Sequence, residues 1–451
     1  MKNTCLFAAL LSFCFGCGTD TNVPTEPQGV AELQGIPAFP GAEGFGSHTP
    51  GGRGGEILFV TNLDADGPGS LRAALEASGP RIVIFKVGGT IVLNGAIKVR
   101  NPFVTIAGQS APGEGISMRN GMISFQTHDF VIRGVRFRVG DDPLGTPPGI
   151  RNGIEVLGED AYNGIIDHCS ISWGVDENVG ITGGAHDITV CWSIIAEGLR
   201  NSIHPEGKHS KGLMVNRSAG TNHSLHHNVI AHNADRNPQA VAPGNIEVVN
   251  NLVYNYVFGG RFDNNAKVHF IGNRWIPGPD TPVGRRGIIV GGAPGTTRVY
   301  VEGNIGPERL TDGGDEWLIT DASPEYRSIS FLFAPTGITT QSADESYESV
   351  LDSAGAFPRD PIDERVVNDI RTGTGRIIDS EHEVGGWPTL VGGLAPFDGD
   401  GDGIPDYWEA ANNLNLEEKD DFSDHDGNGY TAIEEYLNGL MTSNARLMLP
   451  W

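Results

Sequence analysis

The stretch SLHHNVIAHNADRNPQ, residues 224–239, carries an arginine that packing does not require. Arg236 follows a strand-forming run and sits between Asp235 and Asn237-Pro238. A conspicuous cation in a polar loop just past a strand reads as a functional group. His226 and His227 lie inside the apolar run, so they read as packed or hydrogen-bonded rungs. A second kind of chemistry stands near the C-terminus. DGDGDGIPDYWE (398–409) has Asp398, Asp400, Asp402 and Asp406 at loop positions 1, 3, 5 and 9, and Glu409 at 12. DHDGNGYTAIEE (424–435) has Asp424, Asp426 and Asn428 at 1, 3 and 5, and Glu435 at 12. Both loops carry Gly at position 6, the oxygen-ligand pattern of an EF-hand around a hard cation. The pair is read as Ca²⁺-binding, for stiffening or surface attachment, because it lacks an acid–base partner for chemistry.

These groups need a frame. FVIRGVRFR, GIIDHCSIS, ITVCWSIIA, SLHHNVIAH, EVVNNLVYN, VHFIGNRWI and VYVEGNIGP repeat one plan: a short apolar run, a polar or small residue, a second apolar run. One column holds Asn228, Asn251, Asn273 and Asn304. A single rung has no second layer to bury its apolar side, whereas stacked rungs do, which predicts a parallel β-solenoid. Stacked amides would bond along the axis. A β-sandwich would alternate antiparallel strands instead. SLRAALEAS (70–78), with Ser70 as N-cap and Gly79-Pro80 as stop, predicts a helix capping the open end. A second short helix is expected at 363–373.

With 64 glycines in 451 residues and only 19% charged residues, the composition suits an all-β chain rich in turns. A net charge of −25 argues against a nucleic-acid partner. Thirteen Asp and Glu against one Lys fall between Asp398 and Asn438. Residues 1–17 read as a signal peptide, with Cys17 as a lipidation site and 18–35 as a tether. The remaining expectations are a 36–395 solenoid, a 396–440 double calcium loop and a 441–451 tail. The expected protein is a monomeric, secreted or outer-membrane lipoprotein of a bacterium, touching membrane only through its lipid. Cys169 and Cys191 alone cannot make a disulfide framework and read as buried thiols.

FPGAEGFGSHTPGGRGGEILFVTNLDADGPGSLRAALEASGPRIVIF (39–85), IDHCSISWGVDENV (166–179), LHHNVIAHNADRNPQ (225–239) and VGGWP (384–388) resemble pectate lyase-like proteins. The resemblance spans roughly residues 36–395. It implies a right-handed parallel β-helix and β-elimination on polygalacturonate, with Ca²⁺ bridging to the uronate. Asp176 and Glu177 are similar to the family's calcium ligands, Arg236 to its catalytic arginine and Lys211 to a substrate lysine. Asn152, standing where relatives carry an Asp, is assigned to the same metal set, and Gln239 stands where they carry another Arg. Glu155 is expected on the other side of its strand from Asn152. His232 and Trp173 are assigned to substrate contact beside Lys211.

β-Elimination takes a weakly acidic C5 proton, so the site must hold acids for a metal and cations for the substrate. A free guanidinium is a poor base. Either neighbouring cations and poor hydration lower its pKa, or Arg236 stays charged while Lys211, His227 or His232 takes the proton. The rival readings are a glycoside hydrolase, which needs flanking carboxylates, and a non-catalytic binding solenoid.

Overall fold

The computed structural model describes residues 35–292 and 296–441. The signal run, Cys17, the tether up to residue 34 and the tail from residue 442 lie outside them.

Short strands of two to six residues stack into three parallel sheets, forming a right-handed parallel β-helix. The first sheet has eleven strands, from Glu56–Val60 to Arg327–Ser328. The second, Gly89–Val92 to Arg274–Ile276, and the third, Ile97–Val99 to Ile288–Val290, have eight each. Register keeps like over like. Val190, Leu225, Val248, Phe270 and Val301 pair in succession, and all are buried. Each strand alone would leave its inward side chains wet; the coils above and below cover them.

The asparagine column forms the expected ladder. Asn251 Oδ1 accepts from the Asn228 N–H (3.1 Å) and Nδ2 (3.0 Å). Asn273 Oδ1 does the same for Asn251, and Asn304 Oδ1 for Asn273. Asn228 Oδ1 extends the ladder to the Ser193 N–H, and Ser193 Oγ to the Cys169 N–H. These amides satisfy backbone groups that the turn would otherwise bury unpaired.

The residue before each ladder position turns through a left-handed conformation: His168 (φ 46°), Trp192 (47°), His227 (55°) and Asn250 (52°), then Gly272 and Gly303. Such a φ costs a non-glycine residue about 1–3 kcal/mol. Stacking of His168, Trp192 and His227, at 5.9 and 4.3 Å between centroids, offsets part of it. Cys169 and Cys191 are free buried thiols.

A second left-handed column ends the strands of the second sheet: Trp173, Glu197, His232 and Asn255. It corrects two assignments. Trp173 and His232 are each 0% exposed. Trp173 Nε1 donates to Glu197 Oε2 at 2.9 Å, and His232 Nδ1 faces Asn255 Nδ2 at 2.9 Å. The turn swings both rings inward beneath a helix, so neither reaches a sugar.

Helix α1 (Leu71–Glu76) starts where expected, with Ser70 Oγ accepting from the Ala73 N–H, and buries Leu71, Ala74 and Leu75 over the end of the core. Two further helices, α2 (Ala343–Ser353) and α3 (Pro361–Thr372), cover the second sheet. Gly373, at φ 69°, ends α3 in a left-handed C-cap. Buried Arg138 anchors that cover through Asp360 (2.7 Å) and Asp363 (2.8 Å). The acidic segment adds α4 (Asp406–Asn412) and α5 (Ala432–Gly439), which pack on the first strands of the first sheet. Among the described residues, no helix is long and apolar enough to cross a membrane.

Candidate active site

Strand starts in the third sheet place the charged groups. Glu177 opens Glu177–Thr182, and Lys211 opens Lys211–Val215. Parallel pairing sets Glu177 beside Lys211, and a further bridge sets Lys211 beside Asp235. Asp176 and Arg236 each lie one residue along the chain from this column. Arg236 has φ 62°, and its N–H donates to Asp235 Oδ1 at 2.8 Å. The left-handed turn at Arg236 directs the guanidinium back along the stack, where it forms an ion pair with Glu177.

Asn152, Glu155, Asp176, Glu177, Lys211 and Arg236 line one open cleft of about 290 Å³. Lys211 Nζ lies 3.8 Å from Asp176 Oδ1. Gly180, paired with Glu155 on one side and Met214 on the other, leaves the floor bare. Asn152 Oδ1 accepts the Glu177 N–H at 2.9 Å, so this amide positions Glu177 directly. Glu155 departs from expectation. The strand begins only at Ile154, Asn152 lies in irregular backbone before it, and Glu155 faces the same cleft.

The loop between Ala196 and Lys211 supplies groups that sequence reasoning missed. His204 and His209 stack at 3.4 Å between centroids. Their Nε2 atoms lie 3.8 and 3.5 Å from Asp176 Oδ1. Glu206 lines the cleft beside them. The clustered His204, Lys208, His209 and Lys211 within HPEGKHSK were the available signal; the loop has no periodicity to give its direction.

Burial lowers Arg236 to about 10, against the opposing pull of Asp176. Burial also lowers Lys211, while Asp176, Glu206 and Asp235 oppose the shift. His209 is lowered by burial and then by Lys211 and His204. The cleft therefore holds two basic groups that are easier to deprotonate than in water, beside carboxylates. Its oxygen donors, Glu155, Asp176 and Glu177, are of the type that holds a hard divalent cation. A larger cavity of about 460 Å³, lined by Glu247, Glu302 and Asp312, lies on the first sheet's side and has no basic side chain in its lining.

The C-terminal loops differ from each other. Asp398, Asp400 and Asp402 cluster, as do Asp402, Glu409 and Asp420, the last outside the expected ligand set. Asp406 instead accepts the Gly399 N–H at 2.7 Å. Burial and the neighbouring Asp402, Asp400 and Asp420 push Glu409 up to about 7. In the second loop Glu435 pairs with Asn428 (2.6 Å) and His425 (3.2 Å). Asp424 and Asp426 accept the Gly429 and Asn428 N–H groups.

Three parallel sheets, with carboxylates and cations gathered in one cleft, define a parallel β-helix protein. No family model matches the chain. Curated relatives do. The chain is 36% identical over 431 residues to a probable pectate lyase C of Aspergillus flavus, covering 90% of this chain and 94% of the relative. It is 37% identical over 420 residues to that of Aspergillus fumigatus, with the same coverage. A solved pectate lyase structure, described for substrate specificity and an anti β-elimination mechanism, superposes at TM-score 0.52 and 14% identity, over 72% of this chain and 98% of that one. That structure supports the fold. The chain belongs to the pectate lyase family and is a pectate lyase.

The relatives also correct one expectation. They are fungal, which overturns the reading as a bacterial outer-membrane lipoprotein. A short apolar run ending in Gly16-Cys17 is a local pattern that several kinds of N-terminus share, so it carried less weight than similarity across the chain.

Proposed function

We propose that the cleft cleaves polygalacturonate by calcium-assisted β-elimination, with 4,5-unsaturated oligouronides as product. The observation that carries this reading is the meeting of Asp176, Glu177, Lys211 and Arg236, drawn from three coils, in one cleft. Bound there, a divalent cation would screen the uronate carboxylate and stabilise the negative charge that grows as the C5 proton leaves.

Asp176 and Glu177, with Glu155 behind them, would hold that cation. Lys211 binds the substrate carboxylate. Arg236, lowered to about 10 by burial, takes the C5 proton. The C5–H electron pair becomes the C4–C5 double bond, and the C4 glycosidic oxygen leaves and is protonated. His204 and His209 border the Asp176 carboxylate, with Nε2 at 3.8 and 3.5 Å from its Oδ1.

Incubation with polygalacturonate, with and without calcium or chelator, tests the reading. The expected result is calcium-dependent absorbance at about 235 nm from the unsaturated uronide. Reducing ends released without that absorbance make the enzyme a hydrolase and refute the proposal.

A further inference from the structure

The first C-terminal loop offers a second site, independent of the cleft. Glu409 is 0% exposed, and both its carboxylate oxygens lack a hydrogen-bond partner. Asp400 Oδ2 and Asp420 Oδ1 are likewise buried and unpartnered. Asp402, 1% exposed, has ligand atoms within reach of both Asp398–Asp400 and Glu409–Asp420. These four unpartnered carboxylate oxygens repel one another and have lost hydration; a divalent cation between them removes both costs.

The residues next to these acids are the ones that hold the segment to the solenoid. Asp402 Oδ1 accepts the Ile404 N–H at 2.8 Å. Ile404 is buried with Ile82, Ile84, Ile433, Tyr436 and Leu437. Between them Gly403, at φ 96°, lies so close to Ile84 that a Cβ would come within 2.7 Å of its Cδ1. On the far side of the loop, Lys86 reaches Asp398 at 3.2 Å. The shape of the coordinating loop is therefore also the shape of the docking face.

We infer that Asp400, Asp402, Glu409 and Asp420 bind one calcium ion that clasps the C-terminal helix pair onto the first coils of the β-helix. The second loop does not share this role: Glu435 is already paired with Asn428 and His425. The ion is structural, and turnover in the cleft does not pass through it.

The full chain, stripped with chelator and titrated with calcium chloride, tests the clasp by equilibrium dialysis, limited proteolysis and thermal unfolding. The wild type should keep its C-terminal segment protected in calcium and release it to protease under chelator. E409Q and D420N should each bind one calcium fewer and release the segment even in calcium. D176N, altered in the cleft, should lose a different calcium and keep the segment protected. E409Q should also change sign with conditions: more stable than wild type in chelator, because a buried carboxylate charge is gone, and less stable in calcium. Asp420 is less buried than Glu409, so D420N carries the test if E409Q does not fold. Wild-type calcium stoichiometry in both variants would overturn the clasp, as would a segment equally protease-resistant with and without chelator.

Discussion

Arg236 illustrates how one residue acquires chemistry from its surroundings. An exposed guanidinium stays protonated at any physiological pH. Here burial lowers it to about 10, and the left-handed turn aims it at Glu177. Arg236→Ala should lower kcat by about 10²–10³-fold, or about 3–4 kcal/mol of transition-state stabilisation, with a smaller change in KM. Initial rates at about 235 nm measure it. Asp176→Asn should raise the calcium concentration for half-maximal rate by about tenfold or more, because one anionic ligand becomes neutral. Titrating calcium at saturating polygalacturonate checks this. The identities of Asp176, Glu177, Lys211 and Arg236 were legible in short motifs. Glu155 was not, since side chains alternate faces only within a strand, and Asn152 lies before the strand that carries Glu155.

At the level of turns and ladders, two left-handed columns organise the rungs. The asparagine column could be read directly, because like residues recur at matching places. Asn251→Ala would orphan the Asn228 N–H and remove the bonds to Leu225 and Asn273. It should cost about 2–4 kcal/mol, seen as a lower Tm and faster exchange of the Asn228 amide. The other column holds Trp173, and sequence reasoning placed that ring at the substrate. Side-chain direction after a left-handed turn depends on the helix packed outside it, which residue type does not reveal. Trp173→Phe should therefore leave KM within about twofold while losing about 1–2 kcal/mol with the bond to Glu197. Kinetics and thermal unfolding of that variant separate a packed ring from a sugar platform.

For the whole molecule, stacking joins stability to pH. Burial lowers His223 and His226 to about 4. In the unfolded chain they titrate at about 6.5. Between those values the unfolded state binds protons that the folded state refuses, so stability falls as pH drops from about 6.5 to 4. The full loss is about 3 kcal/mol per histidine, and no further loss from these groups follows below pH 4. Tm across that window checks the slope, and His226→Gln should flatten it. The amino-acid sequence by itself determined the coil: short apolar runs with a recurring asparagine can bury themselves only by stacking on their own kind. It also determined where acids concentrate, since thirteen carboxylates between residues 398 and 438 are visible without coordinates. Only the tertiary structure decided which groups meet. Glu155, His204 and His209 join Asp176, and Asp420 joins Glu409, because strand starts, loop paths and covering helices are set by contacts between residues far apart in the chain. Local pattern records the period of a fold; the direction of each side chain is fixed by what lies against it.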